Sequence, residues 1–235
     1  MKILLALLFA GKLGKVLLSG GSMFLSMLVY AQFYGWPFAV GFVLLILVHE
    51  LGHFISARQH GLNVGAPVFI PFVGAWIALK DARLDPTVEA QVALAGPMLG
   101  SIGAFACYLW ALDGHGHIFM ALAQAGFMIN LFNLIPFGTL DGGRIAGVIS
   151  PKLWLVGAPL LMALFLWRPS PLLILIAIAA APQIWALLRG RIPAHETLPT
   201  TAEKLRYGAQ YLGLAAALAL MGFEAQEWLA GRASF

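Results

Sequence analysis

The sequence predicts an all-α polytopic membrane protein with about six to seven transmembrane helices. Three observations predict it. Of the 235 residues, 61% are hydrophobic and only 10% are charged, against about 25% charged in an ordinary soluble domain. The charged residues fall in short clusters between long apolar runs. Those runs are continuous rather than alternating, which argues against a membrane β-barrel. A soluble enzyme and a disordered chain are excluded on the same grounds. The net charge of +4 comes from loop Lys and Arg, the bias of cytoplasmic loops, and implies no nucleic-acid partner. The single cysteine, Cys107, lies in an apolar run and reads as packing.

A membrane helix needs about 20 mostly apolar residues. Spans are expected at 16–34, 36–55, 88–112, 118–137, 153–167, 171–188 and 207–223. Residues before Val16 are expected to form an interfacial segment leading into the first span. The chain divides into 1–35, an N-terminal segment with the first span; 36–150, a core; 151–190, a helical hairpin; and 191–235, a polar linker with a C-terminal span. Lys2, Lys12 and Lys15 precede the first span, and Arg58, Lys80 and Arg83 follow the second. Arg144, Lys152, Arg189 and Arg191 extend the same side. The positive-inside rule places that side in the cytoplasm and the protein in the cytoplasmic (plasma) membrane.

Two stretches are not simple spans. Residues 67–79, PVFIPFVGAWIAL, are apolar but too short to cross, and carry Pro67, Pro71 and Gly74. They predict two short strands around a turn. Backbone of that kind is tolerated at membrane depth only when buried in protein or lining a wet cavity. Its open strand edge could accept an extended peptide as an added strand. The other is the run from Gly138 to Arg144, GTLDGGR, which breaks the chain after the fourth span.

The second span contains His49-Glu50-Leu51-Gly52-His53. Ionisable groups inside a span are costly and usually functional. At i and i+4 both imidazoles project from one helix face and can meet one zinc ion. Glu50, beside the first ligand, can reach a zinc-bound water as general base. His49 lies nine residues before Arg58, or ~13 Å below the cytoplasmic end at about 1.5 Å per residue. A catalytic zinc takes three protein ligands. Among the four aspartates, Asp81 and Asp85 sit in a charged loop and Asp113 on the opposite side. Asp141 remains, just past the cytoplasmic end of the fourth span. Asn133, on that span, carries an amide able to donate to a substrate carbonyl, or alternatively an interhelical hydrogen bond.

These residues resemble the site-2 protease family of intramembrane zinc metalloproteases. The resemblance rests on the His49–His53 motif in one span, on Asn133-x-x-Pro136 leading to Leu140-Asp141-Gly142 two spans later, and on Ala95-Gly96-Pro97 between them. It covers about residues 36–150, the family's three-helix catalytic core, with 67–79 at the place of a short membrane-embedded β-hairpin. It implies one Zn2+ per chain on His49, His53 and Asp141, with Glu50 as catalytic base and Asn133 holding the scissile carbonyl. It implies hydrolysis within or near a transmembrane segment of a membrane-protein substrate, in regulated intramembrane proteolysis or clearance of membrane peptides. A single-span regulator such as an anti-sigma factor is the kind of partner implied, within the lipid bilayer. Where many members carry Asn, three residues after the Pro, this chain has Gly100. A zinc transporter or non-proteolytic metal-binding membrane protein is the competing reading, in which Glu50 has no task. A zincin of another type would take Glu89 as third ligand.

Overall fold

The computed structural model describes residues 2–72, 74–76, 85–167, 171–189 and 198–232. Among them the chain forms α1 (Lys2–Tyr34), α2 (Trp36–Gln59), β1 (Val68–Ile70), β2 (Gly74–Trp76), α3 (Pro86–Trp110), α4 (His117–Asn133), α5 (Asp141–Ile149), α6 (Trp154–Trp167), α7 (Pro171–Leu188) and α8 (Thr201–Arg232). Each of the seven stretches expected to span falls largely on a helix. Two of these are, among the described residues, both long and apolar enough to cross a membrane: α2, and α3 continued through Gly114.

Local chemistry sets the helix ends. Gly35, at φ 79°, and Pro37 in the first turn start α2. It stops in a Schellman arrangement: Leu62 N–H bonds to Ala57 O and Gly61 N–H to Arg58 O, both at 3.0 Å, with Gly61 at φ 73°. Asp85 caps α3, its carboxylate accepting from Thr87 N–H at 2.8 Å. Thr200 and Glu203 form a capping box on α8, with Thr200 N–H donating to Glu203 Oε2 at 2.7 Å and Glu203 N–H to Thr200 Oγ1 at 3.3 Å. The first of those bonds holds the Glu203 carboxyl below the usual carboxylate range.

Three boundaries differ from expectation. The interfacial segment is no separate element: α1 is one helix of 33 residues, because its glycines weaken a helix by about 1 kcal/mol each without stopping it. The fourth helix ends at Asn133 rather than 137, since Pro136 disfavours helical backbone before it and cannot donate. The last helix starts at Thr201, so part of the expected linker is helical; residues 190–197 lie outside the described residues.

The central packing unit is α2, α3 and α4, with α8 against α3 and α4. Small residues let the backbones approach. A Cβ at Gly52 of α2 would fall onto the Ala95 carbonyl of α3, and one at Gly126 of α4 would stand 2.7 Å from Ala104 Cβ. Tyr108, Met120, Phe127, Leu134, Ile145, Tyr211 and Leu218 share one buried cluster that joins α3, α4, α5 and α8. Tyr211 Oη donates to Leu134 O at 2.5 Å, and Gln91 Nε2 donates to Tyr207 Oη at 2.8 Å. Thus α8 is tied both to the end of α4 and to α3.

The strands form an antiparallel hairpin, pairing Val68 with Trp76, Phe69 with Ala75 and Ile70 with Gly74. Pro71 and Phe72 turn the chain, Phe72 at φ 62°, a region that costs a non-glycine residue roughly 1–2 kcal/mol. Contacts with α1 hold it there. Phe72 N–H donates to Tyr30 Oη at 2.9 Å, and its ring meets the Tyr30 and Phe33 rings edge-on at 5.2 and 5.7 Å. One strand edge is also occupied: Phe69 N–H donates to Ser22 Oγ at 3.1 Å. Residues 77–84, with the rest of the expected hairpin stretch and Asp81, lie outside the described residues.

Candidate metal centre

On α2, one helical turn separates His49 from His53, and their rings meet nearly perpendicular with centroids 4.8 Å apart. Their Nε2 atoms approach to 3.0 Å. Asp141, the first residue of α5, brings Oδ2 to 3.2 Å from His49 Nε2 and 3.3 Å from His53 Nε2. Three donor atoms thus form a nearly equilateral triangle.

The far sides of the imidazoles settle the proton positions. His53 Nδ1 lies 2.8 Å from Val92 O, a carbonyl that can only accept, so Nδ1 carries the proton. His49 Nδ1 lies 2.8 Å from Asn130 Oδ1. Asn130 Nδ2 donates to Gly126 O at 2.7 Å, which fixes the amide with its oxygen toward His49. Both Nε2 atoms therefore turn lone pairs inward, onto each other and onto a carboxylate oxygen. Asp141 Oδ2 is buried with no hydrogen-bond donor. One proton on an Nε2 would satisfy a single edge of this triangle, whereas a cation at its centre satisfies all three. Ligands at about 2.0–2.2 Å around a tetrahedral zinc stand about 3.3 Å apart, so the residues fit that metal.

Glu50 is buried beside His49, and its carboxylate lies within 4.8 Å of both imidazole donor atoms. Asp141 Oδ2 and the two Nε2 atoms make the close triangle, and Glu50 stands beside it.

Glycines shape the surroundings. A Cβ at Gly96 of α3 would fall on the His53 ring, and one at Gly100, a turn later, on the Asn130 amide. A Cβ at Gly142 would strike the Leu134 carbonyl, and one at Gly143 would stand 2.7 Å from Phe137 O. Only glycine lets α5 start so close to the 134–138 turn, and that closeness delivers Asp141 to the two histidines.

The structure brings His49, Glu50, His53 and Asp141 together. Asn133 lies near the end of α4, where its Nδ2 donates to Ile129 O at 3.0 Å. Asn130 and the Val92 carbonyl are the polar partners that reading the sequence missed. Asn130 had one signal, an amide inside an apolar run; the carbonyl had none. Glu89 stands in the first turn of α3, and His60 Nδ1 pairs with Ser56 O at 2.8 Å.

A family model described as "Peptidase family M50" matches residues 37–113, the stretch that holds His49, Glu50, His53 and Gly96. Over that third of its length the chain resembles peptidase family M50. The chain is 30% identical over 122 residues to "Zinc metalloprotease MJ0392" of Methanocaldococcus jannaschii, covering 48% of this chain and 35% of the relative. It is also 30% identical over 156 residues to "Probable zinc metalloprotease EGY2, chloroplastic" of Arabidopsis thaliana, covering 48% of this chain and 28% of the relative. This chain spans about a third of the length of the curated relatives it matches. A solved structure, "Site-2 Protease from Methanocaldococcus jannaschii", aligns over 82% of this chain and 84% of that one, at 18% identity and a TM-score of 0.45. That overlap is loose, and the donor geometry stands without it. Ala95-Gly96-Pro97 has a plain physical reading here: it is where α3 backs onto Gly52 and His53.

Proposed function

We propose that this chain is an intramembrane zinc metalloendopeptidase that hydrolyses a peptide bond within or near a transmembrane segment of another membrane protein. The observation that carries the proposal is the convergence of three lone-pair donors, His49 Nε2, His53 Nε2 and Asp141 Oδ2, at 3.0–3.3 Å from one another beside the buried carboxylate of Glu50.

His49, His53 and Asp141 would hold one zinc ion. Bound there, zinc supplies Lewis acidity, which makes a water more acidic and polarises a peptide carbonyl. Glu50 takes a proton from the attacking water and delivers it to the amine nitrogen as the C–N bond breaks. Asn133 offers the scissile carbonyl the amide proton that it does not spend on Ile129 O.

The substrate lies extended, because a helix hides its carbonyls. Strand β2 is its docking edge. Ser22 already takes the outward N–H of Phe69, and Tyr30 that of Phe72, so α1 covers the β1 side. Phe69 spends its N–H outward, which makes Phe69–Ala75 a non-hydrogen-bonded pair. Ala75 therefore points its own N–H and C=O to the other edge. The loop charges support a site that opens toward the cytoplasm and a place in the plasma membrane, with a single-span regulator as substrate.

The test is co-expression with doubly tagged single-span membrane proteins. The wild type should release a cut fragment, and Glu50→Gln should not, while both purify with about one zinc per chain. Cleavage by Glu50→Gln at the wild-type rate would sink the assignment of the base. Zinc-free wild type would sink the metal centre.

A further inference from the structure

Asn130 is 2% exposed, and its amide hydrogen bonds link α4 to the metal-centre face of α2. Its Oδ1 faces His49 Nδ1 at 2.8 Å, and its Nδ2 is spent on Gly126 O. A buried amide held in this way has one orientation. It forces the His49 proton onto Nδ1 and leaves the Nε2 lone pair facing Asp141. Without it, His49 is free to take the opposite tautomer, with an N–H aimed into the triangle where a cation would sit.

The place for this amide is made by α3. A Cβ at Gly100 would stand 2.9 Å from Asn130 Nδ2, 3.0 Å from Cγ, and nearer still to Oδ1. That Cβ position is about as far from Asn130 Oδ1 as an asparagine's own Cβ is from its own Oδ1. The same oxygen position can therefore be reached from either helix, by an asparagine at 130 on α4 or by one at 100 on α3.

We propose that Asn130 is a positioning residue for the metal ligand His49, and that Gly100 is small because the amide comes from α4 in this chain. The inference rests on the zinc reading above. Outer-shell partners of a ligating histidine are typically worth 10–100-fold in metal affinity.

Three proteins test it in detergent: wild type, Asn130→Ala, and Asn130→Ala combined with Gly100→Asn. Zinc affinity is read by competition with a chromophoric chelator, ligand geometry by the visible spectrum of the cobalt form, and folding by circular dichroism. The expected result is a 10–100-fold weaker zinc affinity and an altered cobalt spectrum for Asn130→Ala, with both restored when the amide is supplied from position 100. Equal zinc affinity in wild type and Asn130→Ala overturns the proposal, and so does a folded double variant that binds as weakly as the single one. Should Asn130→Ala not fold, Asn130→Asp decides: it keeps an acceptor for the His49 N–H, so wild-type-like zinc binding supports the proposal and weak binding overturns it. A wild type that binds no zinc would instead remove the zinc reading itself.

Discussion

Replacing Gly96 by alanine adds one methyl group where α3 backs onto the His53 imidazole. The new Cβ would stand 2.8 Å from His53 Cδ2 and closer still to Nε2 and Cε1. Non-bonded carbons settle at about 3.5–4.0 Å, so the ring must retreat by roughly 1 Å. Neither wall yields easily, because Gly52 is already against the α3 backbone at Ala95 and His53 Nδ1 is tied to Val92 O. Metal–ligand distances tolerate about 0.2 Å, so a shift of this size takes Nε2 out of bonding range. Zinc affinity should fall by at least the 10–100-fold that loss of an outer-shell partner costs, with about 1–3 kcal/mol of stability lost to overpacking. Gly103→Ala is the matched control. It makes the same change on the same helix, but its Cβ meets Val48 Cγ1 at 3.2 Å and Leu45 Cδ2 at 3.3 Å, the ends of side chains that can give way. Zinc content of the purified variants, thermal unfolding and cleavage of a tagged membrane substrate are the measurements. If Gly96→Ala keeps zinc and activity at the level of Gly103→Ala, the packing argument for the site is wrong.

Ala75→Pro removes the N–H that faces away from β1, so, with β2 as the docking edge, it should slow substrate cleavage while leaving zinc content at the wild-type level. Trp76→Pro removes a bond within the hairpin instead and should also lower thermal stability; equal behaviour of the two variants would refute the edge assignment. Tyr211→Phe deletes the bond to Leu134 O and leaves a buried carbonyl without its partner, so it should cost about 1–3 kcal/mol in thermal or denaturant unfolding. An unchanged unfolding midpoint would mean that α8 does not brace the turn leading to Asp141.

How much of this was legible beforehand follows from how local each feature is. The pairing of His49 and His53 on one face depends only on helical periodicity, so the spacing disclosed it. The hairpin was legible from prolines and a glycine in a run too short to span. Asp141 could be proposed because it was the aspartate left on the right side of the chain. The interhelical register was not legible. Nothing in the apolar pattern says that Val92 O meets His53 or that Gly100 faces Asn130, since both depend on how deeply α3 and α4 slide past α2. Asn130 and Asn133 are equally plausible as functional amides in the sequence. The helical turn between them separates an amide spent on His49 from one bonded within its own helix. The extent of α1 and α8 was missed because apolar runs mark what is buried in lipid, whereas helices continue as far as capping and hydrogen bonding allow.

The parts of the metal centre are scattered along the chain, which has a consequence for synthesis. His49 meets Asn130 across 81 residues, and Asp141 comes later still. A ribosome adding about 5–20 residues per second makes that length in roughly 4–16 s. During that interval the nascent chain carries the histidine–glutamate motif with neither its carboxylate ligand nor its amide. Helices α3 and α4 must also be in place before α5 can set Asp141 against α2. The order of translation thus sets an order of assembly: the donor triangle cannot close until α5 has been made.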